Sequence, residues 1–97
     1  MRLKLTPRAL REAKRRKTWW LDNRPKAPDL FDEELAEVLK LILNTPTLGV
    51  AYEAKLDVPV RRVLMHKTGT HVFFTVRDEV VYVLSLWGAQ RLRGPNL

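Results

Sequence analysis

Apolar and polar positions change rhythm twice along the chain. Arg2 to Leu5 alternates basic and apolar residues, the period of a short edge strand. Thr6 then precedes Pro7, which suits an N-cap followed by a first helical position where a missing N–H costs nothing. A helix-favouring run follows to about Asn23, with Leu10, Ala13, Trp20 and Leu21 as a thin apolar stripe interrupted by Lys17. Asn23-Arg24-Pro25 ends it. A second helix starts near Pro28. Phe31, Leu35, Val38 and Ile42 recur there at helical spacing, widened by Leu30, Leu39 and Leu43, and Asn44-Thr45-Pro46 stops it. A link of a few residues makes the two helices an antiparallel hairpin.

After Leu48 to Pro59, a connecting stretch without a clear period, the rhythm becomes that of strands. Three β-rich runs begin at Val60, Val72 and Val80. Thr68-Gly69 and Arg77-Asp78 are the natural turn centres. Two-residue turns there place His66 opposite His71 and Val76 opposite Glu79. One sheet face then carries Val63, Met65, Val72, Phe74, Val81 and Val83. The other carries Arg62, Leu64, His66, His71, Phe73, Tyr82, Leu84 and Leu86. One helical hairpin covers one side of a sheet, so the second side is left substantially apolar. Such a patch marks either a partner site or a surface roofed by a loop or by the N-terminal strand. The expected architecture is a single α+β domain over 1–97: a hairpin over about 7–44 on one face of a small antiparallel sheet built from about 60–87 plus strand 2–5. A basic tail over 88–97 completes it.

Charge sharpens this picture. The net charge is +7, and it is segregated: residues 1–26 carry a net +8, residues 27–53 a net −5 and residues 54–97 a net +4. Such a distribution favours an anionic partner, nucleic acid or acidic protein, on the basic side. The chain has no cysteine, which excludes disulfides, thiol nucleophiles and thiolate metal sites and fits a cytoplasmic protein. No apolar run reaches the roughly 18 residues that span a bilayer. No phosphate loop, nucleophile elbow or metal-ligand spacing occurs, so no cofactor and no metal are expected.

The candidate chemistry is sparse. The basic run from Arg8 to Lys17 suits phosphates, but also a solvated helix face. Trp19 and Trp20 point in different directions on a helix, so one belongs to the core and the other to the surface. Asp32, Glu33, Glu34 and Glu37 fit a solvated first turn better than a metal site. His66 and His71 offer an acid–base pair across a turn, with Arg62 beside them. Arg61 and Arg62 point to opposite faces, and the one on the core side needs carboxylate or carbonyl partners. Arg91 and Arg93 stand in the tail close to Trp87, a set suited to gripping an anionic surface.

The order β-α-α-β-β-β, the Arg61-Arg62 entry into the sheet, the strand Val72-Phe73-Phe74 and the ending Trp87-Gly88-Ala89-Gln90-Arg91 resemble ParE-type toxins of the ParE/RelE superfamily. The resemblance implies a bacterial toxin neutralised by a ParD-like antitoxin, with one of two activities. RelE-type members cut mRNA on the ribosome with basic residues and a Tyr or His near the C-terminus. ParE-type members poison DNA gyrase. Many ParE-like chains carry His where this one has Trp87, and no Tyr or His follows Tyr82. Tryptophan neither takes nor gives the proton that RNA cleavage needs, so the ending favours gyrase. On that reading Arg62, Trp87, Arg91 and Arg93 grip the target, while Leu64, Phe73, Tyr82 and Leu84 bind the antitoxin. On the ribonuclease reading the site is Arg62, His66 and His71. A basic nucleic-acid-binding adaptor is the third possibility.

Overall fold

The computed structural model describes residues 1–89 and 94–97. The elements are β1 (Arg2–Leu5), α1 (Pro7–Asn23), α2 (Leu30–Asn44), β2 (Val50–Tyr52), β3 (Val60–Met65), β4 (Thr70–Arg77) and β5 (Val80–Gly88). They form one sheet in the order β1-β5-β4-β3-β2. β1 pairs parallel to β5, and the other pairs are antiparallel. The sheet is therefore mixed, with one strand more than the sequence suggests. The extra strand, β2, comes from the connecting stretch and is only three residues long. Its turn needs Gly49: φ is +85°, and a Cβ there would overlap the Arg62 carbonyl.

Thr6 caps α1 as expected, accepting the Ala9 N–H at 3.1 Å, and Pro7 follows. Its hydroxyl also donates to the Leu84 carbonyl at 3.3 Å, and its N–H donates to the Val83 carbonyl at 3.0 Å. The inward stripe of α1 keeps Ala13 and Trp20 but takes Ala9 in place of Leu10 and loses Leu21. Ala9 and Trp20 are buried and Ala13 partly so, while Leu10 and Leu21 face solvent. Trp20 is the core member of the tryptophan pair, and its indole N–H donates to the Ala27 carbonyl at 2.6 Å, pinning the link to α2. Trp19 lies nearer the surface under the Arg16 guanidinium, 4.6 Å from the ring centroid. Lys17 bridges to Asp32 at 2.8 Å, and that hydrogen bond raises the Lys17 pKa.

α2 buries Phe31, Val38 and Ile42 against Met65, Val72, Phe74, Val81 and Val83. An aromatic side chain removes about 150–250 Å² from water, or about 4–6 kcal/mol before entropy, so Trp20, Phe31 and Phe74 dominate this core. Glu34 departs from the expected solvated first turn. It is buried, and its carboxylate accepts the Lys67 and Thr68 N–H groups at 2.7 and 2.9 Å and the Thr68 hydroxyl at 2.8 Å. Arg16 reaches the same corner from α1, donating to the Thr70 hydroxyl at 3.0 Å and the Thr68 carbonyl at 2.8 Å. Thr68 and Thr70 share a hydrogen bond of 3.2 Å, which joins α1, α2 and the β3–β4 turn.

Both hairpin registers differ from the expected ones. The β3–β4 turn has four residues, His66 to Gly69, closed by the Gly69 N–H on the Met65 carbonyl at 2.8 Å, so His71 pairs with Leu64 rather than with His66. The slip is by two, which preserves the faces of both strands. The second turn is Asp78-Glu79, one residue later than expected, with φ of 51° and 62°. Two left-handed residues are the mark of a type I′ hairpin, made here without glycine. Val76 therefore pairs with Val81 rather than with Glu79. Farther along, Phe74 pairs with Val83 but Phe73 pairs with Ser85, so Leu84 is the extra residue of a bulge. The bulge reverses the alternation, and Leu86, expected on the second face, joins the helix-side core.

Candidate functional site

Arg62 pairs with Phe73, Leu64 with His71, and His71 with Trp87. Alternate residues of a strand share a face, so these five stand on the side opposite the α2 core. Arg62 and Trp87 are two strands apart and offset by two residues along the sheet, about 12 Å between backbones. The structure thus brings together Arg62, His71 and Trp87. It does not bring in His66, which is exposed in the four-residue turn. Arg91 and Arg93 lie outside the described residues.

His71 is the chemically distinctive member. Its Nδ1 is buried and has no hydrogen-bond partner among the described residues. Burial, and then the neighbouring Arg62 guanidinium, lower its pKa below the usual 6.5. The ring is therefore neutral at pH 7. Arg61 turns to the other face and finds the carbonyl partners it needs, donating to Leu48 at 3.0 Å and Gly49 at 2.7 Å.

The second face is not open throughout. Phe73, expected as an exposed anchor, is 1% exposed. Tyr52 of β2 packs edge-on against it, with centroids 4.6 Å apart and ring planes at 69°. The Tyr52 hydroxyl donates to the Pro95 carbonyl at 2.8 Å, the Lys55 N–H donates to the Leu97 carbonyl, and Arg8 donates to the Asn96 carbonyl at 3.0 Å. The last four residues thus brace the roof over Phe73. The cover is β2 and the C-terminus, not the N-terminal strand, which lies at the far edge of the sheet. Leu64, Tyr82 and Leu84 remain half-buried.

Sequence reasoning missed Glu12. Its carboxylate accepts the Ser85 hydroxyl at 2.7 Å, the Leu86 N–H at 3.3 Å and the Trp87 indole N–H at 3.0 Å. A signal existed: Glu12 stands three residues after Ala9 and four before Arg16, on the inward side of α1. Glu34, three after Phe31 and four before Val38, carried the same signal. Tyr52 had none, because its role depends on a strand that has no period in the sequence.

No family model and no curated protein matches this sequence. Solved structures do. The chromosomal ParDE TA system from P. aeruginosa superposes with a TM-score of 0.71 at 15% identity, covering 93% of this chain and 97% of that one. The isolated E. coli RelE toxin gives a TM-score of 0.62 at 21% identity, covering 93% of this chain and 85% of that one. The YoeB dimer from Staphylococcus aureus gives 0.55 at 18%, covering 88% and 92%. The two-helix hairpin on a mostly antiparallel five-stranded sheet is therefore the RelE/ParE-like fold. At these identities the likeness is one of architecture.

Proposed function

We propose that this protein is the toxin of a toxin–antitoxin pair, that it acts in the cytoplasm, and that it blocks growth by binding DNA gyrase. The observation that carries the choice of target is the separation of His66 from His71. Cleavage at a ribose hydroxyl needs one group to take a proton and another to give one. Among the described residues, His71 is the only histidine on the face that holds Arg62 and Trp87. Arginine and tryptophan are instead the side chains most enriched at binding hot spots. The arginine suits carboxylates of gyrase or phosphates of its DNA, and the indole supplies apolar area. Arg91 and Arg93 would extend this grip. A ParD-like antitoxin would use Leu64, Tyr82 and Leu84 as anchors, with Phe73 supporting them from beneath.

Supercoiling of relaxed plasmid by purified gyrase, with and without the protein, tests the reading. Inhibition is expected, together with DNA damage and a largely intact mRNA pool in induced cells. Normal growth on induction would leave the nucleic-acid-binding adaptor. One observation favours a ribosome-dependent ribonuclease: a neutral His71 beside a guanidinium is a competent general base. Cleavage confined to translated messages and lost in His71→Gln would establish that reading.

A further inference from the structure

β1 ends opposite Val83, so among the described residues no strand pairs with Leu84 to Gly88 of β5 on that side. An exposed strand edge invites unwanted pairing, and covering it with a helix is a common remedy. Here α1 provides the cover through Glu12. One oxygen takes the Leu86 N–H and the Ser85 hydroxyl, and the other takes the Trp87 indole N–H at 3.0 Å. The Glu12 side chain is only 13% exposed, and Arg8 lies 3.5 Å away from it. Covering the edge at Leu86 requires one acceptor for its N–H. A neutral hydroxyl or amide at this position would satisfy that N–H. Glu12 does more: it accepts from two side chains that stand on the same side of β5, two residues apart. Its partner Arg8 also holds the Asn96 carbonyl, within the segment that braces Tyr52 over Phe73.

We infer that Glu12 is a positioning residue for target recognition: its carboxylate fixes the Trp87 indole on the face that carries Arg62 and His71. This role rests on the reading of that face as the toxin's binding surface. A carboxylate suits the task because a charge-assisted acceptor holds an indole more firmly than a neutral one, and an indole locked before contact loses less entropy on binding. Ser85, fully buried, holds the carboxylate from the other side.

The test is a double-mutant cycle on the full chain. Glu12→Gln keeps the size but replaces one acceptor oxygen with a donor. It is expected to move the Trp87 indole N–H resonance and to raise the inducer level that halves growth about tenfold, the scale of one lost charged hydrogen bond. In a Trp87→Phe background, which has no indole N–H, the same Glu12→Gln change should alter growth inhibition by less than about twofold. Thermal melting of all four proteins monitors the edge-closing role. If Glu12→Gln leaves the indole resonance in place, or weakens inhibition equally in both backgrounds, Glu12 is an edge brace and the positioning role is overturned. A wild-type chain that does not slow growth overturns the toxin reading itself. The indole resonance, read on purified protein, distinguishes that failure from the failure of the local geometry.

Discussion

On the helix side of β4, Val72 and Phe74 are fully buried among carbon atoms. One residue away on the other side, His71 stands between Leu64 and Trp87 with a buried nitrogen and an arginine close by. Same strand, same alternation, two environments. The helix side is closed by two helices, and its polar groups are satisfied at one corner, where Glu34 and Arg16 meet Thr68 and Thr70. The other side is covered over Phe73 by Tyr52 and the last four residues, while Leu64, His71, Tyr82 and Leu84 are only half-buried. The difference teaches that one sheet separates two duties. Packing on the first side supplies stability, and the less completely covered second side is the one proposed for recognition.

The contrast can be broken most forcefully at its centre. Phe74→Ala is expected to cost about 3–5 kcal/mol in urea unfolding, the usual penalty for emptying an aromatic core site. A loss below about 2 kcal/mol would show that the helix side is not where stability resides. Glu34→Ala should come next, at about 2–3 kcal/mol, because the buried donors of Thr68 and the Lys67 N–H lose their acceptor. A near-neutral result there would mean that water replaces the carboxylate. Arg62→Ala probes the second side. It should change stability by less than about 0.5 kcal/mol, as surface substitutions do, while clearly weakening growth inhibition. Intact inhibition would detach this face from function.

The smallest effect is the pH dependence. His71 has a folded-state pKa below its unfolded value of 6.5, so the unfolded chain takes up this proton first. Stability is fully retained above 6.5 and falls as pH drops through 6.5 toward the folded-state pKa. Replacing His71 with Asn should flatten that part of a stability-versus-pH curve. An unchanged slope would mean that His71 is solvated in the folded protein.

Patterns with a period were readable in the sequence. The second helix, with its Phe31–Val38–Ile42 stripe, and the faces of Val63, Val72 and Phe74 follow from spacing alone. Where geometry depended on one residue more or less, spacing was not enough. Nothing local reveals the extra residue at Leu84, and it moves Leu86 from one side of the sheet to the other. The turn at Asp78-Glu79 lacks the glycine that marks such hairpins. β2 is too short to show a period, so the cover that Tyr52 places over Phe73 was invisible. Of the candidate site, Arg62 and His71 kept their shared face because strand parity survived a register slip of two, whereas Trp87 joined them through the bulge at Leu84. Glu12 and Glu34 were hidden by the habit of reading acids on helices as solvated.

The parallel pairing of β1 with β5 also sets a clock. The Thr6 hydroxyl and the Leu84 carbonyl that it bonds are 78 residues apart in the chain. Contacts of such span close late and slow the search for the native state. At about 5–20 residues per second, a ribosome finishes that interval in roughly 4–16 s, during which the first strand has no partner. β5 lies between β1 and β4 and carries Trp87, so the face proposed for recognition cannot form before β5 is made. For a protein proposed to arrest its own host, this wiring would keep each copy inert until β5 has been made.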